Sequence, residues 1–288
     1  MLTQIDRILV ATPDAAAAAE KWRALVGAEE AGRDSVSALA AKRLTLRAGA
    51  SDIELLEPDG NGIVSDELKR RGRAHLFAAG AASPDPKRVA SHAQAMGAGI
   101  VELGNQRLLT VMIENAPVRF VISPEAIREP VGDLDFLYEV TLLAAHQQAA
   151  VARLTDLFLL DAQHFTTITS EHFGYTGVLT LFKEGALHRF EVITPIDREK
   201  TMGRFHAREG TSFYMAFAES ARMAAIERKA KAREAGITVD RPETRASSRT
   251  ADQLWLHPPA LGGVMLGISR PSMAWRWSGH PERVTALE

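Results

Sequence analysis

The sequence contains no cysteine and only three tyrosines, and aromatic residues make up 6% of its 288 positions. Without cysteine, disulfides, thiolate nucleophiles and sulfur-ligated zinc are excluded, so any metal must be held by His, Glu, Asp or Tyr. No stretch approaches the ~18 consecutive apolar residues of a membrane span, and the opening MLTQIDRILV lacks the basic-then-apolar signature of a signal peptide. The expected location is the cytoplasm, with no membrane partner. A net charge of −2 provides no electrostatic footprint for nucleic acid. Phosphate-cradling glycine loops, nucleophile elbows and Ser/His/Asp patterns are also missing. What is present is 46% hydrophobic content, enough for two cores of about 125–140 residues each.

The chain also repeats itself. From Asp6, DRILVATPDAAAAAEKWRALVG aligns without gaps to YEVTLLAAHQQAAVARLTDLFL from Tyr138. Glu54-Leu55-Leu56-Glu57-Pro58 returns as Glu191-Val192-Ile193-Thr194-Pro195, and Val121-Ile122-Ser123 as Gly267-Ile268-Ser269. Self-similarity of this kind predicts two copies of one domain. Residues 1–124 form the first, 125–134 with Pro130 and Gly132 the linker, 135–272 the second, and 273–288 a tail whose Trp275 and Trp277 are expected on an extra strand or arm.

Within each copy the order repeats again. Strand Asp6–Thr12 leads through Pro13-Asp14 into a helix ending at Val26-Gly27, as capping preferences require. Apolar runs Lys42–Arg47 and Asp52–Leu56 read as a hairpin. A second strand, Leu76–Ala81, a helix from Asp85-Pro86 through Met96, and a hairpin of Leu108–Ile113 with Val118–Ile122 follow. The second copy gives strand Tyr138–Leu143, helix Ala149–Leu160 and hairpin Thr176–Phe182 with His188–Ile193, then strand Phe213–Ala218, helix Ala221–Ala235 and hairpin Gln253–His257 with Val264–Ser269. The basic run Arg228–Arg233 is read as a solvated helix face.

Paired βαβββ units in two tandem domains resemble the vicinal oxygen chelate superfamily, which includes glyoxalase I, methylmalonyl-CoA epimerase, extradiol dioxygenases and bleomycin-resistance proteins. IELLEPDG followed by ELKRRG, and LHPPALGGVMLGISRP near the end, resemble the epimerase branch. The resemblance implies an α+β fold of curved mixed sheets, each cupping a divalent metal on side chains from the first and last strands of its βαβββ units. The matching positions in the first copy are Arg7, Glu54, Phe77 and Val121, with His75 on the same strand face as Phe77. An arginine in the first slot puts a positive charge where a cation would sit, so this domain is expected to be a degenerate, metal-free partner in which Arg7 pairs with Glu54. In the second copy the positions hold Glu139, Glu191, Tyr214 and Gly267. No metal is therefore assigned; if one divalent ion is bound, Glu139 and Glu191 are its ligands.

Without metal, two carboxylates forced together in a partly buried cup repel. One stays protonated toward neutrality, and the pair offers a general acid and a general base. The expected catalytic residues are thus Glu139 and Glu191, with Tyr214 donating to an enolate oxygen and His257 as a further acid or base. Each has a plainer reading: a water-facing glutamate, a cup-wall tyrosine, a turn-capping histidine. The segment Thr194–Arg208 carries Arg198, Lys200, Arg204, His206 and Arg208, and Lys200 and Arg204 are candidates for holding an acidic substrate group or a coenzyme A ester. Phe213, Phe217 and Trp255 are candidate substrate-binding walls. The expected function is a small-molecule isomerase, epimerase or lyase working by proton abstraction next to a carbonyl. Alternatives are a metal-dependent dioxygenase or glyoxalase, and a non-catalytic resistance-type binding protein. Either a monomer or a homodimer fits.

Overall fold

The computed structural model describes residues 1–247 and 249–287. The first half runs β1 (Gln4–Ala11), α1 (Ala15–Val26), β2 (Glu29–Val36), β3 (Ala41–Ala48), β4 (Ser51–Pro58), α2 (Ile63–Arg71), β5 (His75–Ser83), α3 (Pro86–Ala95), β6 (Gly99–Leu103), β7 (Gln106–Ile113) and β8 (Ala116–Pro124). The second follows the same plan: β9 (Phe136–Leu143), α4 (Gln147–Phe158), β10 (Thr166–Ser170), β11 (Tyr175–Leu181), β12 (Arg189–Pro195), α5 (Thr201–Glu209), β13 (Ser212–Glu219), α6 (Met223–Ala232), β14 (Ile237–Asp240), β15 (Gln253–Leu256) and β16 (Leu266–Ser269). Two eight-stranded mixed sheets result, ordered β2-β3-β4-β1-β5-β8-β7-β6 and β10-β11-β12-β9-β13-β16-β15-β14. The identical order is the structural form of the duplication and gives the expected α+β architecture. No helix among the described residues is long and apolar enough to cross a membrane.

Local chemistry explains the repeat of strand then helix. Asp14 caps α1 by accepting from the Ala17 amide at 2.8 Å, and Gly27 closes it in the left-handed conformation that glycine adopts without strain. The Glu57 carboxylate also accepts from the Ala15 amide at 2.8 Å. In the second half Thr194 takes that task, accepting from Gln147 at the start of α4 at 2.9 Å. Glu114, at the tip between β7 and β8, adds acceptors for Ala145 and His146, placing negative charge at a helix N-terminus.

The chain divides into two compact units, one of residues 1–5, 78–126 and 139–214, the other of 6–77, 127–138 and 215–288. In the first, Phe120, Phe158, Phe182, Phe190 and Phe213 form a continuous cluster of ring contacts, with Phe120 edge-on to Phe158 and Phe190 at 5.1 Å and to Phe213 at 5.5 Å. Such geometry follows ring quadrupoles and adds to burial. In the second unit fully buried Trp22 donates its indole N–H to the Leu261 carbonyl at 3.1 Å.

Several local expectations need correction. Of the four outer strands, β2 and β10 lack an apolar pattern and β6 and β14 are short; β2 is exposed over Glu29–Ser35 and studded with charge, which discourages edge-to-edge pairing. The tail is no extra strand: Met273–Arg276 and Pro281–Arg283 are single 3-10 turns, with Met273 and Ala274 buried and the Arg283 guanidinium 4.7 Å over Trp275. Of the segment Thr194–Arg208, the first two residues end β12 and Thr201 onward belongs to α5.

Candidate functional site

On β9 and β12, register decides what meets. The strands run parallel with Glu139 opposite Arg189 and Thr141 opposite Glu191. Side chains alternate across a strand, so these four share one face. Phe190 lies on the opposite face, against Phe158 of α4. All four are buried: Arg189 and Thr141 are 0% exposed, Glu139 1% and Glu191 6%.

The Arg189 Nε–H donates to Glu139 Oε2 at 2.6 Å, and its Nη1 to the Leu187 carbonyl at 3.0 Å. Thr141 donates its hydroxyl to Glu191 Oε2 at 2.5 Å. Burial and the neighbouring Glu139 charge raise Glu191 well above the ordinary carboxylate range, against the weaker opposing effects of the Thr141 hydrogen bond and the Arg189 charge. Tyr175, on β11, belongs to the same cluster: burial first, then the charges of Glu191 and Glu139, push its phenol up, so it remains a hydrogen-bond donor. Two carboxyls are thus confined with one guanidinium.

The corresponding strands of the first half carry the same positions with different charges. Arg7 faces Asp52 and Leu9 faces Glu54 across β1 and β4. Arg7 pairs with Glu54 and, at 2.8 Å, with Asp6, while Arg43 reaches Glu54 at 3.0 Å. Arg47 and Arg128 complete the balance on Asp52 at 2.6 and 3.4 Å. The expected Arg7–Glu54 bridge is therefore present, within a network of alternating charge. Arg43 pairs in register with Leu56, two residues beyond Glu54; the second-half residue two beyond Glu191 is Ile193, and its β11 partner is Gly177. There the arginine is missing, and a Cβ on Gly177 would stand 2.7 Å from both an Ile193 methyl and the Val192 carbonyl oxygen.

Other candidates are placed as follows. Tyr214, on β13 in the same unit as Glu139 and Glu191, packs edge-on to Phe205 at 4.9 Å, and burial raises its phenol. Phe213 stands in the phenylalanine core beside Phe120. Lys200, half-buried at the start of α5, and the exposed Arg204 on it donate to the carbonyls of Glu171 and Glu199. His257, Trp255 and Phe217 belong to the other unit. His257 Nε2 is 2.9 Å from the Thr238 hydroxyl. A Cβ on Gly267 would come 2.1 Å from the Phe217 ring, so that ring takes the space of a side chain at the position where the resemblance implies a carboxylate ligand. In the first half His75 is buried, bonds the Arg73 carbonyl at 2.9 Å, and is pushed down to about 4 by burial, which suits a neutral core imidazole.

The donor set fits a divalent metal poorly. Glu139 is engaged by a guanidinium, Gly267 has no ligating atom, and among the described residues no group of three or more His, Asp or Glu side chains is placed to hold an ion. The sequence reading singled out Glu139 and Glu191 but not Arg189 and Thr141, which the structure places beside them. Period-two spacing of Arg189 with Glu191, and of Glu139 with Thr141, was the available signal.

No protein-family model and no curated protein matches the chain. Among solved structures, a triple mutant of 4-hydroxymandelate synthase from Streptomyces coelicolor superposes with a TM-score of 0.73 at 12% identity, covering 94% of this chain and 93% of that one. A xylose isomerase-like TIM barrel/4-hydroxyphenylpyruvate dioxygenase fusion protein gives 0.64 at 13% identity over 94% of this chain, which spans 49% of the fusion's length. Methylmalonyl-CoA epimerase from Mycobacterium tuberculosis matches 48% of the chain with a TM-score of 0.40 at 15% identity.

Proposed function

We propose that the chain, which has the tandem two-domain vicinal oxygen chelate fold, is a small-molecule enzyme, an isomerase, epimerase or lyase that moves a proton next to a carbonyl, with Glu191 and Glu139 as the acid–base pair. The observation that carries this reading is the buried Glu191 carboxyl, raised by burial and by Glu139 where the equivalent Glu54 is neutralised by two arginines. A protonated carboxyl in such a setting donates to a carbonyl oxygen as negative charge develops there, while the ionised partner accepts the carbon-bound proton. Thr141 fixes one oxygen of Glu191, and Tyr175 supplies a second neutral donor nearby.

The test is proton exchange. Incubation in deuterium oxide with a panel of enolisable ketones, keto acids and acyl coenzyme A esters, read by proton NMR, should show deuterium entering next to the carbonyl of a subset. The coenzyme A esters and keto acids belong in the panel because the half-buried Lys200 and the exposed Arg204 lie in the same unit. Glu191→Gln should slow that exchange at least ~100-fold, within the range of general acid–base contributions; exchange that survives the substitution refutes the assignment.

A second reading is a metal-dependent dioxygenase, suggested by the structural likeness to a fusion protein that includes a 4-hydroxyphenylpyruvate dioxygenase. It predicts metal-dependent oxygen uptake and about one equivalent of tightly held metal per chain by elemental analysis. The donor set described above argues for the first reading.

A further inference from the structure

Two carboxyls that share a proton are interchangeable unless something distinguishes them. We propose that Arg189 is a positioning residue: by clamping Glu139 it selects Glu191 as the carboxyl that carries the site's proton. This rests on the acid–base reading of the pair and adds to it the group that assigns the roles.

The geometry is one-sided. Arg189 and Glu191 sit two apart on β12, yet the Nε–H of Arg189 goes across to Glu139 Oε2 on β9, at 2.6 Å. Its Nη1 is tied to the Leu187 carbonyl of the preceding segment, which holds the guanidinium toward the Glu139 end of the cluster. Glu191 receives a neutral hydroxyl from Thr141 instead. A guanidinium hydrogen-bonded to a carboxylate favours its charged form, whereas a hydroxyl does so more weakly. The charged and titratable groups facing Glu191 within the unit are Glu139 from β9, Arg189 from its own strand and Tyr175 from β11. In the first half no such choice exists, because Glu54 is contacted by both Arg7 and Arg43.

The experiment is carbon-13 NMR of glutamate side-chain carboxyls across pH in the full-length protein, with Glu191→Gln and Glu139→Gln used for assignment. In the wild type, the signal that keeps its proton to the highest pH should vanish in Glu191→Gln. In Arg189→Met that role should pass to Glu139 or be divided between the two, and Arg189→Lys should restore it to Glu191. A folded Arg189→Met protein in which Glu191 alone still carries the proton overturns the proposal. Should Arg189→Met not fold, the wild-type Arg189 Nε–H resonance decides: a hydrogen-bonded signal that persists while the high-pH carboxyl is protonated supports the clamp, and its loss in that protonated form overturns it. If the highest-titrating wild-type carboxyl is Glu139, the clamp fails while the acid–base pair stands. If neither carboxyl retains a proton toward neutrality, the acid–base reading falls and the clamp with it.

Discussion

The two opening βαβββ motifs place charged side chains at the same register positions and reach opposite electrostatic outcomes. Arg7 opposite Asp52 becomes Glu139 opposite Arg189, a pair with its signs exchanged. Glu54 and Glu191 are the same residue type at the same place, but Glu54 has Arg7 and Arg43 upon it, and Glu191 has Thr141 and a second carboxylate. The first cluster is a charge-balanced brace. The second has one carboxyl too many for its single guanidinium, and a buried carboxyl without a cation keeps its proton. Burial alone therefore does not make a candidate acid; the missing second arginine does.

The sharpest way to break this comparison is to remove one residue from each cluster. Glu54→Ala leaves Arg7 and Arg43 facing each other with their shared partner gone, and should destabilise the protein by about 3–5 kcal/mol, as expected when one member of a buried ion pair is deleted. Glu191→Gln should change stability by less than about 1 kcal/mol at about pH 4, where the carboxyl it replaces is neutral in the folded protein and mostly so in the unfolded chain. Chemical denaturation of both variants measures the difference; equal losses would mean that the two clusters are equally structural.

The pH response should separate the halves next. Glu191 binds its proton more tightly in the folded protein than in the unfolded chain. Its contribution is thus complete below the unfolded glutamate value near 4.5 and drains as pH rises toward its raised folded value, with a slope of up to about 1.4 kcal/mol per pH unit. His75 in the first half runs the other way. Its folded value of about 4 lies below the unfolded 6.5, so its contribution is intact above 6.5 and is lost as pH falls toward 4. Denaturation midpoints across pH should show the alkaline loss disappearing in Glu191→Gln and the acid loss shrinking in His75→Gln.

The smallest effect concerns the two helix starts. Glu57→Ala and Thr194→Ala each remove a side-chain acceptor from the first turn of α1 or α4 and should cost about 1 kcal/mol. Similar losses in thermal melts would show that different residue types do one job in the two halves; a loss confined to Glu57 would show that charge, rather than hydrogen bonding, stabilises that turn.

Much of this was legible in the chain. The repeat and the strand–helix order of each copy could be read from spacing, because strand alternation and helix caps are local, whereas the Arg7–Glu54 bridge and the meeting of Glu139 with Glu191 followed from the resemblance to the vicinal oxygen chelate superfamily. The edge strands were not: β2 and β10 gain order from their neighbours rather than from an apolar face. The Trp275 region read as extended, yet it folds into turns once Met273 and Ala274 are buried.

What the sequence by itself determined is two copies of one motif and which residues each copy offers. Only the tertiary structure decided that Arg189 would spend its charge on Glu139, that Phe217 would occupy the space over Gly267, and that Gly177 would stand where Arg43 does. The physical reason is that a carboxyl's protonation depends on charges within a few ångströms, and those distances are set by strand register, which brings together residues some fifty positions apart.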